Sequence, residues 1–141
     1  AITRLLDMGV ENYLISSALL GVLAQRLVRV ICRTCIEPTK VSPALIAEMG
    51  SPDQGDIKTF HGKGCKECSH TGFRGRAGIY ELLVVDDAIR QLILTKSTAQ
   101  IIRETARKKG MTTLREDGWK KVAEGITTVE EVLRVTLNEQ T

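Results

Sequence analysis

The feature that most restricts how this chain can fold is a set of four cysteines in two pairs. Cys32 and Cys35 stand in "VICRTCIEP", Cys65 and Cys68 in "GCKECSHTG", and there is no other cysteine among the 141 residues. The spacing is C-x2-C-x29-C-x2-C. Two residues between thiolates let one turn present both sulfurs to a single tetrahedral ion, and two such turns complete an all-sulfur shell. Closing a loop of this length costs on the order of 3 kcal/mol, whereas a structural zinc ion supplies an apparent ~10–16 kcal/mol. The ion wins by a wide margin. Disulfides are the alternative in an oxidising compartment, but nothing in the sequence points to export. A redox dithiol and four independent buried thiols are the other readings, and the paired spacing argues against the last.

A closed four-sulfur shell leaves no place for water or substrate, so the expected role is structural. The metal ligands expected are Cys32, Cys35, Cys65 and Cys68, with Zn2+ as cofactor. His61 and His70 stand near enough in sequence to replace a ligand but are not needed. Four thiolates around one divalent ion make a doubly negative cluster, which is costly to bury uncompensated. Arg33, Lys63, Lys66, Arg74 and Arg76 lie within or beside the pairs, and the adjacent glycines let backbone N–H groups approach sulfur.

The remaining bulk properties exclude more than they assign. The chain is 43% hydrophobic and 26% charged, as an ordinary globular protein is. Its most apolar stretch, 13–25, is too short to cross a bilayer, which takes roughly 20 residues. The N-terminus lacks a signal-peptide layout and opens inside a helix-like pattern, which suggests a piece of a longer protein with exposed apolar surface over residues 1–31.

Apolar spacing predicts short helices near 2–8 and 12–20, then a strand over 22–31 with Leu27, Arg29 and Ile31 on one face and Arg26, Val28 and Val30 on the other, a helix of the same length being the rival reading. Ser42, Pro43 and Gly50 frame a short helix, "DIKTFHGKG" holds a short strand, and 76–85 forms a second long strand. The cysteine segment then lies between two strands, pinched at its base.

Four helices follow. Asp86 and Asp87 open the first, with Ile89, Leu92 and Ile93 on its apolar face. Ser97 with Gln100, Thr113 with Glu116, and Thr127 with Glu130 have capping-box spacing for the others, and Gly110 and Gly125 end two of them. Leu114, Trp119, Val122 and Ala123 form one expected buried face, and Val129, Val132 and Leu133 another. Glu81 is expected to pair with Arg74 or Arg76. The fold class is α+β: a strand pair, a tetracysteine insertion and a C-terminal bundle of short helices.

Several of these stretches resemble, in order, segments of the traffic ATPases of bacterial type II secretion and type IV pilus assembly: "AITRLLDMGVE", "GVLAQRLVR", both C-x2-C pairs, "TGFRGRAGIYELL" and "AIRQLI". The type II secretion E component (GspE-like) is the nearer branch and the pilus assembly ATPase the runner-up. Asn12 departs from the family's "GVEP" turn. The resemblance implies that residues 1–31 are the tail of a RecA-like ATPase core, 32–75 a zinc-binding subdomain, and 76–141 a strand with a C-terminal helical subdomain. It implies a cytoplasmic homo-hexamer that couples ATP hydrolysis to work on an inner-membrane platform, with ATP and Mg2+ bound by the intact parent. No G-x-x-x-x-G-K-[ST] phosphate loop occurs in the 141 residues, so no catalytic or nucleotide-binding residue is expected here and ATP hydrolysis has no seat. Arg26, Arg29 and Arg90 are candidates for coupling between subunits or domains; the plainer reading is that the arginine stems cover apolar surface. A freestanding nucleic-acid-binding zinc module is the reading from another class. Aromatics at 4% and a net charge of +3 speak against it, and no nucleic-acid partner is expected. A chaperone-type zinc domain would repeat its cysteine unit.

Overall fold

A computed structural model describes residues 1–40, 44 and 58–137. The helix expected from Ser42 to Gly50 lies outside the described residues apart from Ala44. In chain order the elements are α1 (Ile2–Asp7), α2 (Asn12–Ala18), β1 (Gly21–Ile31), β2 (Ile36–Thr39), β3 (Thr59–Gly62), a 3-10 turn (Lys66–Cys68), β4 (Phe73–Val84), α3 (Asp87–Leu94), α4 (Ala99–Lys108), α5 (Leu114–Ala123) and α6 (Val129–Thr136). Among the described residues no helix is long and apolar enough to cross a membrane.

The chain divides into two compact units, Ala1–Ala24 with Glu81–Thr113, and Gln25–Tyr80 with Leu114–Thr141. β1 and β4 pair as a two-stranded sheet. Their directions are opposed: Val85 N–H donates to Leu20 O (3.0 Å) and Cys32 N–H to Gly72 O (2.9 Å). Two long strands and four later helices were expected beside the cysteine insertion, and the architecture has them.

In the first unit, Ile2, Ile15, Val85, Ile89, Ile93, Ile102 and Ala106 form the core. Gly9 ends α1 with φ +91, a conformation that side chains resist. Asn12 opens α2 and donates Nδ2 to Leu94 O (2.7 Å), so the residue that departs from the family's turn ties α2 to α3. Asp86 caps α3 by accepting from Ile89 N–H (3.0 Å), and its other oxygen takes Lys109 Nζ (2.8 Å). The Lys109 bond, then the Ile89 N–H, holds this carboxyl below its ordinary range. Apolar side chains also remain exposed along residues 1–31, among them Met8, Tyr13, Leu20 and Leu23, as the sequence suggested.

In the second unit, β2 and β3 are antiparallel, with Ile36 opposite Gly62 and Thr39 opposite Thr59. Pro38 is tolerated because a two-stranded sheet is all edge. Val122, Val129, Val132 and Leu133 form a core that Trp119 flanks. The expected α5 face is changed in detail: Leu114 and Val122 are buried, but Ala123 is exposed and Gly118 takes the inner position. A Cβ on Gly118 would lie 2.5 Å from Val132 Cγ1, so the glycine sets the approach of α5 to α6.

Val28 and Ile31, placed on opposite faces of β1, are both fully buried. The end of that strand is flanked on both edges, by Gly72 and by Ile126, whose carbonyl accepts Ile31 N–H (2.8 Å). Two helix caps are shifted by one residue. Thr98, not Ser97, accepts from Ile101 N–H, and Thr128, not Thr127, accepts from Glu131 N–H. Glu81 pairs with Arg103 (3.7 Å). Successive strand side chains alternate faces, so odd-numbered Glu81 cannot share a face with Arg76 on the same strand; Arg74, on the far side of Gly75 and its positive φ of +85, instead meets Glu67 (3.1 Å).

Candidate metal centre

The two cysteine pairs converge, although 29 residues separate them in sequence. Cys32 comes directly off β1, Cys35 precedes β2, and Cys65 and Cys68 bracket the 3-10 turn. The four sulfurs all lie within 4.8 Å of one another. Three separations are fixed more closely: Cys32 to Cys65 at 3.7 Å, Cys65 to Cys68 at 3.7 Å, and Cys35 to Cys68 at 3.8 Å. Zn–S bonds of about 2.3 Å in a tetrahedron put sulfurs about 3.8 Å apart along each edge. A disulfide needs about 2.05 Å, and all four cysteines are free. The donor set and its spacing therefore fit one tetrahedral metal ion.

The backbone builds this geometry. Gly64 and Gly72 have φ of +102 and +83, and between them Ser69 and His70 also adopt left-handed conformations. That path aims N–H groups at sulfur. Gly64 N–H meets Cys35 Sγ (3.3 Å), Cys65 N–H meets Cys68 Sγ (3.3 Å), and Gly72 N–H meets Cys68 Sγ (3.2 Å). At the base, the Gly62 and Gly72 backbones touch so closely that a Cβ on Gly62 would overlap the Gly72 carbonyl. This close backbone contact demands glycine at both positions.

The thiols of Cys35, Cys68 and Cys32 are shifted in different directions, as happens where like charges crowd together. Burial pushes the Cys35 thiol up to about 11, and the neighbouring sulfurs add to the rise. Burial acts upward on Cys68 too, but the N–H groups of Cys65 and Gly72 outweigh it and bring the thiol to about 6. Cys32 is lowered as well, with the N–H groups of Cys35 and Thr34 outweighing burial.

Two of the basic residues near the pairs, Arg33 and Arg74, have hydrogen-bond partners other than the sulfurs. Arg33, between Cys32 and Cys35, donates Nε to Ile31 O (3.0 Å) and Nη2 to Gly125 O (2.6 Å). It thus holds a carbonyl just beyond the C-terminal end of α5, where a helix favours a cation. Arg74 is engaged by Glu67. The hydrogen bonds that reach the sulfurs from outside the four side chains come from backbone N–H groups. His61 meets Glu37 (Nε2 to Oε1, 2.7 Å) and is not in the sulfur cluster.

The three candidate arginines have distinct settings. Arg26 is exposed on β1 and bonds the Gln25 carbonyl (3.2 Å). Arg90 donates Nη1 to Ser16 O (2.7 Å), joining α3 to α2 inside the first unit. Arg29 is the most heavily engaged. Its backbone N–H, Nε and Nη2 all donate to Glu131, at 2.9, 3.0 and 2.8 Å. Its guanidinium also lies 4.2 Å from the centre of the Phe73 ring, and Thr127 donates to its carbonyl (2.8 Å).

Glu131 was missed in the sequence. Nothing local marks its link to Arg29, 102 positions away. The carboxylate is buried and also accepts from Arg134 (3.1 and 2.8 Å). Burial alone would raise its pKa, but Arg134 and Arg29 together hold it down at about 2.

A family model described as "Type II/IV secretion system protein" matches residues 1–134. The chain belongs to this family. It is 52% identical over 139 residues to a type II secretion system protein E of Pseudomonas aeruginosa, with 99% of the chain and 28% of the relative covered. A type IV pilus assembly ATPase PilB of Thermus thermophilus is 51% identical over 140 residues, covering 97% of the chain and 16% of that protein. The type II secretion system ATPase E of Vibrio cholerae is 46% identical over 136 residues, covering 96% and 27%. The chain thus spans little more than a quarter of the length of these curated relatives at most.

Proposed function

We propose that the four cysteines bind one structural zinc ion, and that this chain is the zinc-braced, non-catalytic part of a type II secretion ATPase. The observation that carries the reading is a set of four sulfurs within 4.8 Å of one another, three of their separations at 3.7–3.8 Å, in a chain of the secretion ATPase family. Zinc rather than a redox-active metal suits a shell of four thiolates whose task is to hold two chain segments together. In the intact parent, a homo-hexamer on the cytoplasmic side of the inner membrane, ATP and Mg2+ are bound by other residues. Segment 1–31 completes the ATPase core, 32–75 forms the metal subdomain, and 76–141 transmits its motion to the inner-membrane platform. Arg26 and Arg29 on β1 and Arg90 on α3 are the positions through which coupling runs.

The test of the metal is elemental analysis of protein purified under reducing conditions. One zinc per chain is expected, falling to near zero in Cys65→Ala; a metal-free wild-type protein defeats the proposal. The chain alone should not hydrolyse ATP, and turnover that persists through repeated purification would overturn the division of labour. A second reading, the same region of a pilus assembly ATPase, rests on the 51% identity to PilB. Grafting the segment into both kinds of parent separates the two: restored protein secretion supports the first, restored pilus assembly alone the second.

A further inference from the structure

A cleft of about 510 Å³ in the second unit is lined by Leu27, Val28, Arg29, Arg76 and Arg134. It is separate from the four sulfurs. Arg29 and Arg134 are both fixed on Glu131, each through Nε and Nη2. A guanidinium carries five N–H donors, so each keeps unspent donors after this clamp. Their side chains are 50% and 58% exposed. Arg29 lies over Phe73, a contact that occupies the face of a guanidinium and leaves its edge donors available. Arg76 is exposed and has no hydrogen-bond or ion-pair partner among the described residues. Three guanidiniums thus line one cleft, and two of them are held in place by Glu131 before any ligand arrives.

We propose that this cleft binds an acidic segment of a partner protein, two or more carboxylates being taken by Arg29, Arg76 and Arg134 and an apolar side chain resting on Leu27. Arginine forks match carboxylates bidentately, and donors fixed by Glu131 spare the ligand the cost of ordering them. The cleft is larger than a single phosphoryl group fills. Its wall includes Leu27, 48% exposed, which a free phosphate has no means to use. Glu131 is the positioning residue; its carboxylate is already saturated by the two guanidiniums and the Arg29 N–H. None of the four cysteines lines the cleft.

The probe is a fluorescein-labelled peptide of alternating Glu and Leu, titrated with the intact chain at low salt and followed by anisotropy. Arg76→Glu is the decisive variant, because Arg76 makes no bond that the fold uses and the melting temperature should be unchanged. Saturable binding is expected to weaken with salt, to fall about tenfold or more in Arg76→Glu, the scale of one charge-assisted bond, and to vanish for the Gln-for-Glu peptide. Equal binding by Arg76→Glu, or no binding to the wild-type chain, overturns the proposal. Binding of inorganic pyrophosphate that depends on Arg76, with no peptide binding, overturns the ligand class and makes the cleft a phosphate site.

Discussion

Replacing Glu131 with glutamine keeps the shape of the side chain and removes one buried charge, at the point where β1 and α6 are joined. The carboxyl goes from an ordinary 4.5 to about 2 on folding, and every tenfold change in proton affinity is worth about 1.4 kcal/mol. The full difference is therefore about 3 kcal/mol, an upper figure because Arg29 and Arg134 remain half in water and are partly screened. The folded-state pKa is depressed, so this stability is fully present above the ordinary value of 4.5 and is lost as the pH falls toward 2. Urea unfolding of the wild type and of Glu131→Gln, followed from pH 7 down to about 2.5, measures it. At pH 7 the variant should be about 2–3 kcal/mol less stable, and the gap should close through the acid range. Acid also strips thiolate-bound metal, but it does so in both proteins and leaves the difference intact. A gap below about 0.5 kcal/mol at neutral pH, or one that does not narrow in acid, would refute the assignment of Glu131 as the clamped carboxylate.

Three other outcomes test the packing and the metal centre. Gly62→Ala puts a Cβ on the Gly72 carbonyl; it should destabilise the second unit by several kcal/mol and weaken zinc retention in a competition with a chromogenic chelator. Gly118→Ala should cost about 1–3 kcal/mol through the Val132 side chain, with Val132→Ala in the same chain recovering part of the loss in thermal melts. Arg33 links the first cysteine pair to the carbonyl of Gly125. Stripping the metal should therefore shift the emission of Trp119, the sole tryptophan, and Arg33→Ala should bind metal with a much smaller shift.

What the sequence disclosed, and what it concealed, follows from the range of the forces involved. The cysteine spacing is a local signal with one efficient solution, and the sulfurs meet as that solution requires. Helix stripes such as Ile89–Leu92–Ile93 and Val129–Val132–Leu133 are legible for the same reason, since 3.6-residue periodicity is written in neighbouring positions. Caps were legible only to within one residue. "ITTVEE" offers two threonines and two glutamates, and Thr128 becomes the cap because Thr127 is fully buried and bonds the Arg29 carbonyl. That Glu81 would not meet Arg76 needed only the alternation of a strand, a rule available from the sequence; its actual partner, Arg103, comes from a later helix and had no such signal.

The Glu131 clamp had no such local signature. Its partners are Arg29, across most of the chain, and Arg134, one turn away on α6. From sequence alone, Glu131 and Arg134 form an ordinary surface pair at i, i+3, worth a few tenths of a kcal/mol. Burial is what changes the arithmetic: Arg29 arrives from β1, the carboxylate loses its water, and losing either guanidinium then leaves a buried anion short of a partner. The same burial spreads two arginines outward in fixed positions beside Arg76. A residue that reads as a solvated helix charge thus both locks the strand to the helix and shapes the cationic cleft. Substituting Glu131 should accordingly lower stability and, at temperatures where the variant is still folded, also loosen acidic-peptide binding, whereas Arg76→Glu should affect binding alone.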